Sequence, residues 1–181
     1  MRHLRILGLS CFVSLFLLNS FAHSQTFELA KDERVLVSIL LPAKPSSNEI
    51  LAARELRIHL EALLGQQVVV DSIGRSDLKP ISVGRELSPR AASLVDKRSE
   101  NQPDSFAIVV DKEGIQLAGR SDSGTLIAAY ELLEQLGVRW YQPGIQGTLI
   151  PSSENPRVSY QETVQGPSFP SRHLQGGLGL K

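Results

Sequence analysis

FAIVVDKEGIQLAGRSDSGTLIAAYELLEQLGVRWY, residues 106–141, holds a strand pair, a helix and an aromatic exit in one unbroken run. Residues 106–110 and 115–118 are apolar runs of strand length on either side of Asp111-Lys112-Glu113-Gly114, whose glycine tolerates positive φ. The run predicts a β-hairpin. Beyond it, Ser121 or Asp122 supplies a helix N-cap, and Leu126, Ala129, Leu133 and Leu136 recur at three, four and three residues before Gly137. Ile127, Ala128 and Leu132 add apolar surface elsewhere on the circumference, which marks a central helix covered on more than one side.

The chain N-terminal to this unit follows the same logic. Residues 35–41 are apolar on both alternating faces and stop at Pro42 and Pro45, which predicts a buried strand and then a loop. Ser46 with Glu49 three places on forms a capping box; Ala53, Leu56, Leu60 and Leu63 make the buried stripe, and Gly65 ends the helix. Glu49, Arg54, Glu55, Arg57 and Glu61 fall off that stripe. Residues 68–70 and 81–83 read as short core strands, and residues 88–104 as a short helix with a surface loop. The alternation predicts an α/β (α+β) sandwich: a mixed β-sheet with two main amphipathic helices.

After Gly137 come Val138-Arg139-Trp140-Tyr141, then corners at Pro143, Gly144 and Gly147. From residue 152 the pattern fades, with Pro156, Pro167 and Pro170 punctuating an extended segment that reads as a linker. At the other end, Arg2 and Arg5 precede an uncharged apolar run over residues 6–18 and then small residues, the order of a cleaved export signal. The run is shorter than the about 20 residues a membrane-spanning helix needs, so no stable membrane anchor is expected. Cleavage after Ala22 and cleavage after Ser24 both fit. The expected organisation is a signal peptide over residues 1–24, an α/β domain over 25–151 and an extended linker over 152–181, with export to the periplasm or the outside.

The whole chain has 181 residues, 19 Lys+Arg against 19 Asp+Glu, and one cysteine, Cys11, inside the signal. Balanced charge without a basic cluster argues against nucleic acid as a partner. A (β/α)₈ barrel typically needs about 250 residues and does not fit. Gly119 to Thr125 sits where a phosphate loop would, but no lysine stands between Gly124 and Thr125, so a tight turn and helix cap is the better reading. His59 and His173, with His23 if the cut follows Ala22, lie in no metal-binding pattern, and His59 reads as a residue of a wet helix face. No metal ligand, cofactor site or catalytic residue is assigned. Glu131 and Glu134 share a helix face, but catalytic carboxyls flank a sugar from separate elements, so they read as a solvent edge. Trp140 and Tyr141, with Tyr160 and Phe169, are candidates for core packing, for contact with a neighbouring domain, or for a sugar platform. Trp140 and Tyr141 cannot both serve one platform if the segment is extended. Arg139 reads as an ion-pair residue, with an acidic sugar as the alternative.

The succession Ala52-Ala53-Arg54-Glu55-Leu56, Ile81-Ser82-Val83-Gly84-Arg85, Phe106-Ala107-Ile108 with Ile115 and Gly119, Gly124-Thr125-Leu126-Ile127-Ala128-Ala129-Tyr130-Glu131-Leu132-Leu133-Glu134 and Gly137-Val138-Arg139-Trp140-Tyr141-Gln142-Pro143-Gly144 resembles the N-terminal, non-catalytic domain of α-glucuronidase-like glycoside hydrolases. More distantly it is similar to the α/β domain that precedes the barrel in β-hexosaminidases. The resemblance spans residues 35–172. It implies an α/β sandwich, with the catalytic acid and base on a following (β/α)₈ barrel, and hence an accessory domain for breakdown of polysaccharide such as glucuronoxylan. The implied partners are that barrel, in cis or in trans, and polysaccharide. Residues 167–172 look like the entry to the first barrel strand, with only the glycine-rich residues 173–181 after it. Arg139, Trp140, Tyr141 and Ile145 are the candidate interface or sugar-contact residues. A stand-alone carbohydrate-binding module and a truncated product without function are the alternatives.

Overall fold

The structure, a computed structural model, describes residues 25–32, 34–98, 102–142, 144–153 and 155–168. The expected signal over 1–24, Phe169 and the barrel entry beyond residue 168 lie outside these residues. The elements in chain order are β1 (Thr26–Glu28), β2 (Ala30–Lys31), β3 (Arg34–Val35), β4 (Val37–Leu40), α1 (Ser47–Leu64), β5 (Val70–Asp71), β6 (Lys79–Val83), α2 (Pro89–Arg98), β7 (Phe106–Asp111), β8 (Gly114–Gly119), α3 (Asp122–Gln135), β9 (Arg139–Trp140), a 3₁₀ turn (Ile145–Gly147), β10 (Thr148–Leu149), β11 (Arg157–Ser159) and β12 (Gln161–Gln165).

Six strands form one mixed sheet in the order β12-β7-β8-β6-β4-β5. The hairpin is present as expected, with Phe106 opposite Gly119 and Asp111 opposite Gly114. From β8 outward the pairs β8-β6, β6-β4 and β4-β5 are parallel. Because side chains alternate along a strand, Val37, Ile39, Ile81, Val83, Ile108, Ile115 and Leu117 point to one face, where α1 and α3 cover them. Ala107, Val109 and Ala118 point to the other, where Ala91, Ala92 and Val95 of α2 seal them. The molecule is therefore the α/β sandwich expected, with a third helix closing the second face of the sheet.

Helix α1 starts where the capping box predicts. Glu49 N–H donates to Ser46 Oγ at 3.3 Å, and Ser46 N–H donates to the Glu49 carboxylate at 2.8 Å. Gly65 ends the helix in the left-handed conformation at φ 66°. Its buried face is Ala52, Ala53, Leu56, His59, Leu60 and Leu63. His59 thus corrects the sequence reading: it is 8% exposed and belongs to the inner face. Leu56, Leu60 and Leu63 each remove a side chain from water at about 1.5–3 kcal/mol, which anchors α1 to the sheet.

Helix α3 sits close to the strand that feeds it because two glycines let the backbones touch. A Cβ on Gly124 would lie 2.5 Å from the Ser105 carbonyl oxygen, and one on Gly119 would lie 2.2 Å from the Thr125 nitrogen. Gly119 N–H donates to Thr125 Oγ1 at 2.9 Å, and Ser121 Oγ caps Gly124 N–H at 3.4 Å. The loop that sits where a phosphate loop would is a turn and helix cap.

Two segments differ from expectation. Residues 68–70, read as a core strand, give only the two-residue edge strand β5; Val68 is buried, but Val70 faces out at the rim of the sheet. The segment after residue 151 is extended, as expected, but it is paired rather than free. β11 pairs with β1, placing Phe27 opposite Val158, and β12 pairs antiparallel with β7, placing Thr163 opposite Ile108. The sheet therefore extends to Gln165. Among the described residues no helix is long and apolar enough to cross a membrane.

Candidate functional site: the hairpin over the helical layer

Helix α3 ends at Leu136, and Gly137, at φ 94°, turns the chain back over the helices. The turn delivers β9, which pairs antiparallel with β10, Trp140 opposite Thr148 and Arg139 opposite Leu149. The backbone closes the hairpin with Tyr141 N–H donating to the Gly147 carbonyl at 2.8 Å.

The four candidate residues separate sharply here. Trp140 turns inward, its ring held edge-on between His59 of α1 and Tyr130 of α3, with both centroid distances 5.3 Å. His59 Nδ1 lies 2.8 Å from the Glu55 carbonyl oxygen, which fixes that nitrogen as the donor. Burial raises the phenol of Tyr130 above the ordinary tyrosine range, and the Glu55 carboxylate, its hydrogen-bond partner, adds to the rise. Trp140 is thus a wedge that locks the hairpin to both helices. Tyr141 turns outward, 76% exposed. The alternation expected of an extended pair is observed. Arg139 has no ion-pair partner among the described residues: its Nη1 donates to the carbonyls of Glu134 at 2.6 Å and Val138 at 2.7 Å, where a cation complements the C-terminal end of α3. Ile145 lies in the 3₁₀ turn.

Around Tyr141 lies a shallow depression of about 180 Å³, lined by Tyr141, Gln142, Gln146, Gly147, Thr148 and Leu149. A Cβ on Gly147 would fall 2.0 Å from the Gln142 carbonyl oxygen, so only glycine lets this rim close. Leu149 is half exposed. A second exposed apolar surface runs along α1, where Ile50, Leu51 and Ile58 face water with Arg54 and Arg57 beside them. Ile50, Arg54 and Ile58 recur every four residues, a stripe opposite the buried one. The sequence carried that second stripe, masked by the stronger core periodicity. Glu131 Oε1 accepts from Gln135 at 3.2 Å and Gln165 at 3.5 Å, so it braces α3 against β12. Among the described residues no three His, Cys, Asp or Glu side chains cluster as metal ligands.

Comparison with solved structures decides what kind of fold this is. A family GH115 4-O-methyl-α-glucuronidase, BtGH115A, with specificity for decorated arabinogalactans, aligns with a TM-score of 0.58 at 18% identity over 79% of this chain. The Streptomyces plicatus N-acetyl-β-hexosaminidase aligns with a TM-score of 0.51 at 12% identity over 80% of this chain. The fold is a glycoside-hydrolase-like α/β domain. The chain spans 18% of the first protein's length and 24% of the second's. The sequence itself matches no protein-family profile and no curated protein. The hairpin and the outer stripe of α1 both lie on the helical side, so five of the seven large exposed apolar residues among the described residues, Ile50, Leu51, Ile58, Tyr141 and Leu149, share that side.

Proposed function

We propose that the chain is an accessory domain of an exported glycoside hydrolase acting on polysaccharide, which lays its helical layer against a (β/α)₈ barrel in cis or in trans. The observation that carries the reading is the outer stripe of α1. An amphipathic helix in the outer layer of a domain needs one apolar face, and α1 has two: one in the core and one, Ile50, Leu51 and Ile58, in water. Arg54 and Arg57 flank the second face with no carboxylate partner among the described residues, which suits a barrel helix carrying Asp or Glu. The likeness to domains that make up a minor part of two larger glycosidases supports the same reading. The substrate class follows that of the first of these, a decorated polysaccharide such as arabinogalactan.

The test is to read the coding frames beside this one for a (β/α)₈ barrel, produce that barrel with this chain, and measure both association and sugar release from glucuronoxylan and arabinogalactan. Association that weakens at least tenfold in Ile58→Asp, with sugar release only when the barrel is present, is the expected result. The absence of any such frame, or sugar release by this chain alone that a single Asp or Glu replacement abolishes, overturns the reading.

A further inference from the structure

We infer that the depression beside Tyr141 is a contact site for one neutral sugar ring of a polysaccharide chain, separate from the barrel-docking stripe of α1. Tyr141 is 76% exposed, and the inward lock of its neighbour Trp140 keeps it pointing outward. The C–H face of a pyranose is apolar and rigid, and it loses little entropy when it stacks on an aromatic ring already fixed in place. The hairpin fixes the backbone that carries the ring: Tyr141 N–H is bound to Gly147, Gly147 N–H donates to the Gly144 carbonyl at 3.0 Å, and Thr148 Oγ1 donates to the same carbonyl at 3.3 Å.

The polar groups at the rim choose the class of sugar. Gln142 and Gln146 present carboxamides, each with two donors and an acceptor, the complement of a sugar's hydroxyls. Among the described residues no charged side chain lines the depression. Arg139, a cation that a uronic acid would seek, turns its Nη1 to the carbonyls at the end of α3 and is not among the residues that line the depression. A carboxylate brought here would lose hydration without gaining a partner. The volume of about 180 Å³ is below the about 300–1,000 Å³ of pockets that enclose whole small molecules, so a single ring of an extended chain is engaged. Affinity for an isolated oligosaccharide is accordingly on the order of 1 mM.

The experiment titrates the ¹⁵N-labelled chain with xylohexaose and, separately, with tri-galacturonic acid, following backbone amides and Trp140 emission. The expected result is shifts at Tyr141, Gln142, Gln146 and Thr148 with xylohexaose and none with the acidic trimer. Tyr141→Ala weakens binding about tenfold and Tyr141→Phe retains it, since the ring and not the hydroxyl does the stacking. Ile58→Asp leaves it unchanged, so failure of barrel docking and failure of sugar contact are told apart. No shifts at the solubility limit of xylohexaose, equal binding by Tyr141→Ala, or tighter binding of the acidic trimer overturns the inference.

Discussion

Trp140 shows how one side chain joins three elements. Its ring meets His59 on α1 and Tyr130 on α3 while its backbone belongs to β9, so truncation loosens the hairpin and the helix pair together. Trp140→Ala is expected to cost about 3 kcal/mol, the low end for tryptophan because the ring is only partly buried, read as a fall in the urea midpoint. Tyr130 adds a pH dependence. Its folded pKa lies above the unfolded value, so its contribution is whole below about pH 10 and is lost as pH rises through the folded value. Tyr130→Phe therefore flattens the alkaline fall in stability, measured by urea unfolding between about pH 8 and about pH 11. None of this could be read from spacing. His59 lies one position from the Leu60 of the predicted stripe, but only the arrival of Trp140 from 81 residues further along the chain turns that position into an interior one.

Elements with local signals were legible in full. The capping box, the stripe and the terminal glycine of α1 lie within 20 residues of one another, and the hairpin of β7 and β8 within 14. Ser46→Ala is expected to cost about 1 kcal/mol by the loss of one cap, visible as a lower thermal midpoint with the helical signal below the transition unchanged. Illegible elements were those whose stability comes from a distant partner. Gln161–Gln165 has the sequence Gln-Glu-Thr-Val-Gln, without an apolar alternation, and forms a strand because the open edge of β7 supplies hydrogen bonds across its length. At β5 the converse holds: Val68-Val69-Val70 has strong strand propensity, but the edge position leaves room for only a two-residue ladder. α2 was read as a short helix, but its role was hidden, since its partners Ala107, Val109 and Ala118 are small residues on the reverse of strands already assigned to a core.

On the scale of the molecule, the two faces of the sandwich are finished differently. The α2 side is tied by charge: Arg90 bonds both Asp111 and Glu162, and Arg85 meets Asp96 at 2.6 Å. The α1 side keeps an apolar stripe and two arginines turned to water. The double replacement Ile50→Asp with Ile58→Asp is expected to leave the unfolding free energy within about 0.5 kcal/mol, since neither side chain is in the core, while reducing binding of a hydrophobic dye at least twofold. A large drop in stability would mean the stripe serves the fold and not a partner. The candidate site was half legible: the sequence pointed to residues 139–145 but could not say that Trp140 turns in, that Tyr141 turns out, or that Arg139 caps a helix, because each depends on where the hairpin lands.

The pairing of β1 with β11 sets a timetable for the chain's assembly. Phe27 finds its partner, Val158, only after 130 intervening residues have been made, whereas the hairpin and α3 can assemble from neighbouring sequence. A growing polypeptide thus holds β1 without its ladder partner until β11 has emerged, and the late closure of that seam is the step that ties the front of the domain to its rear.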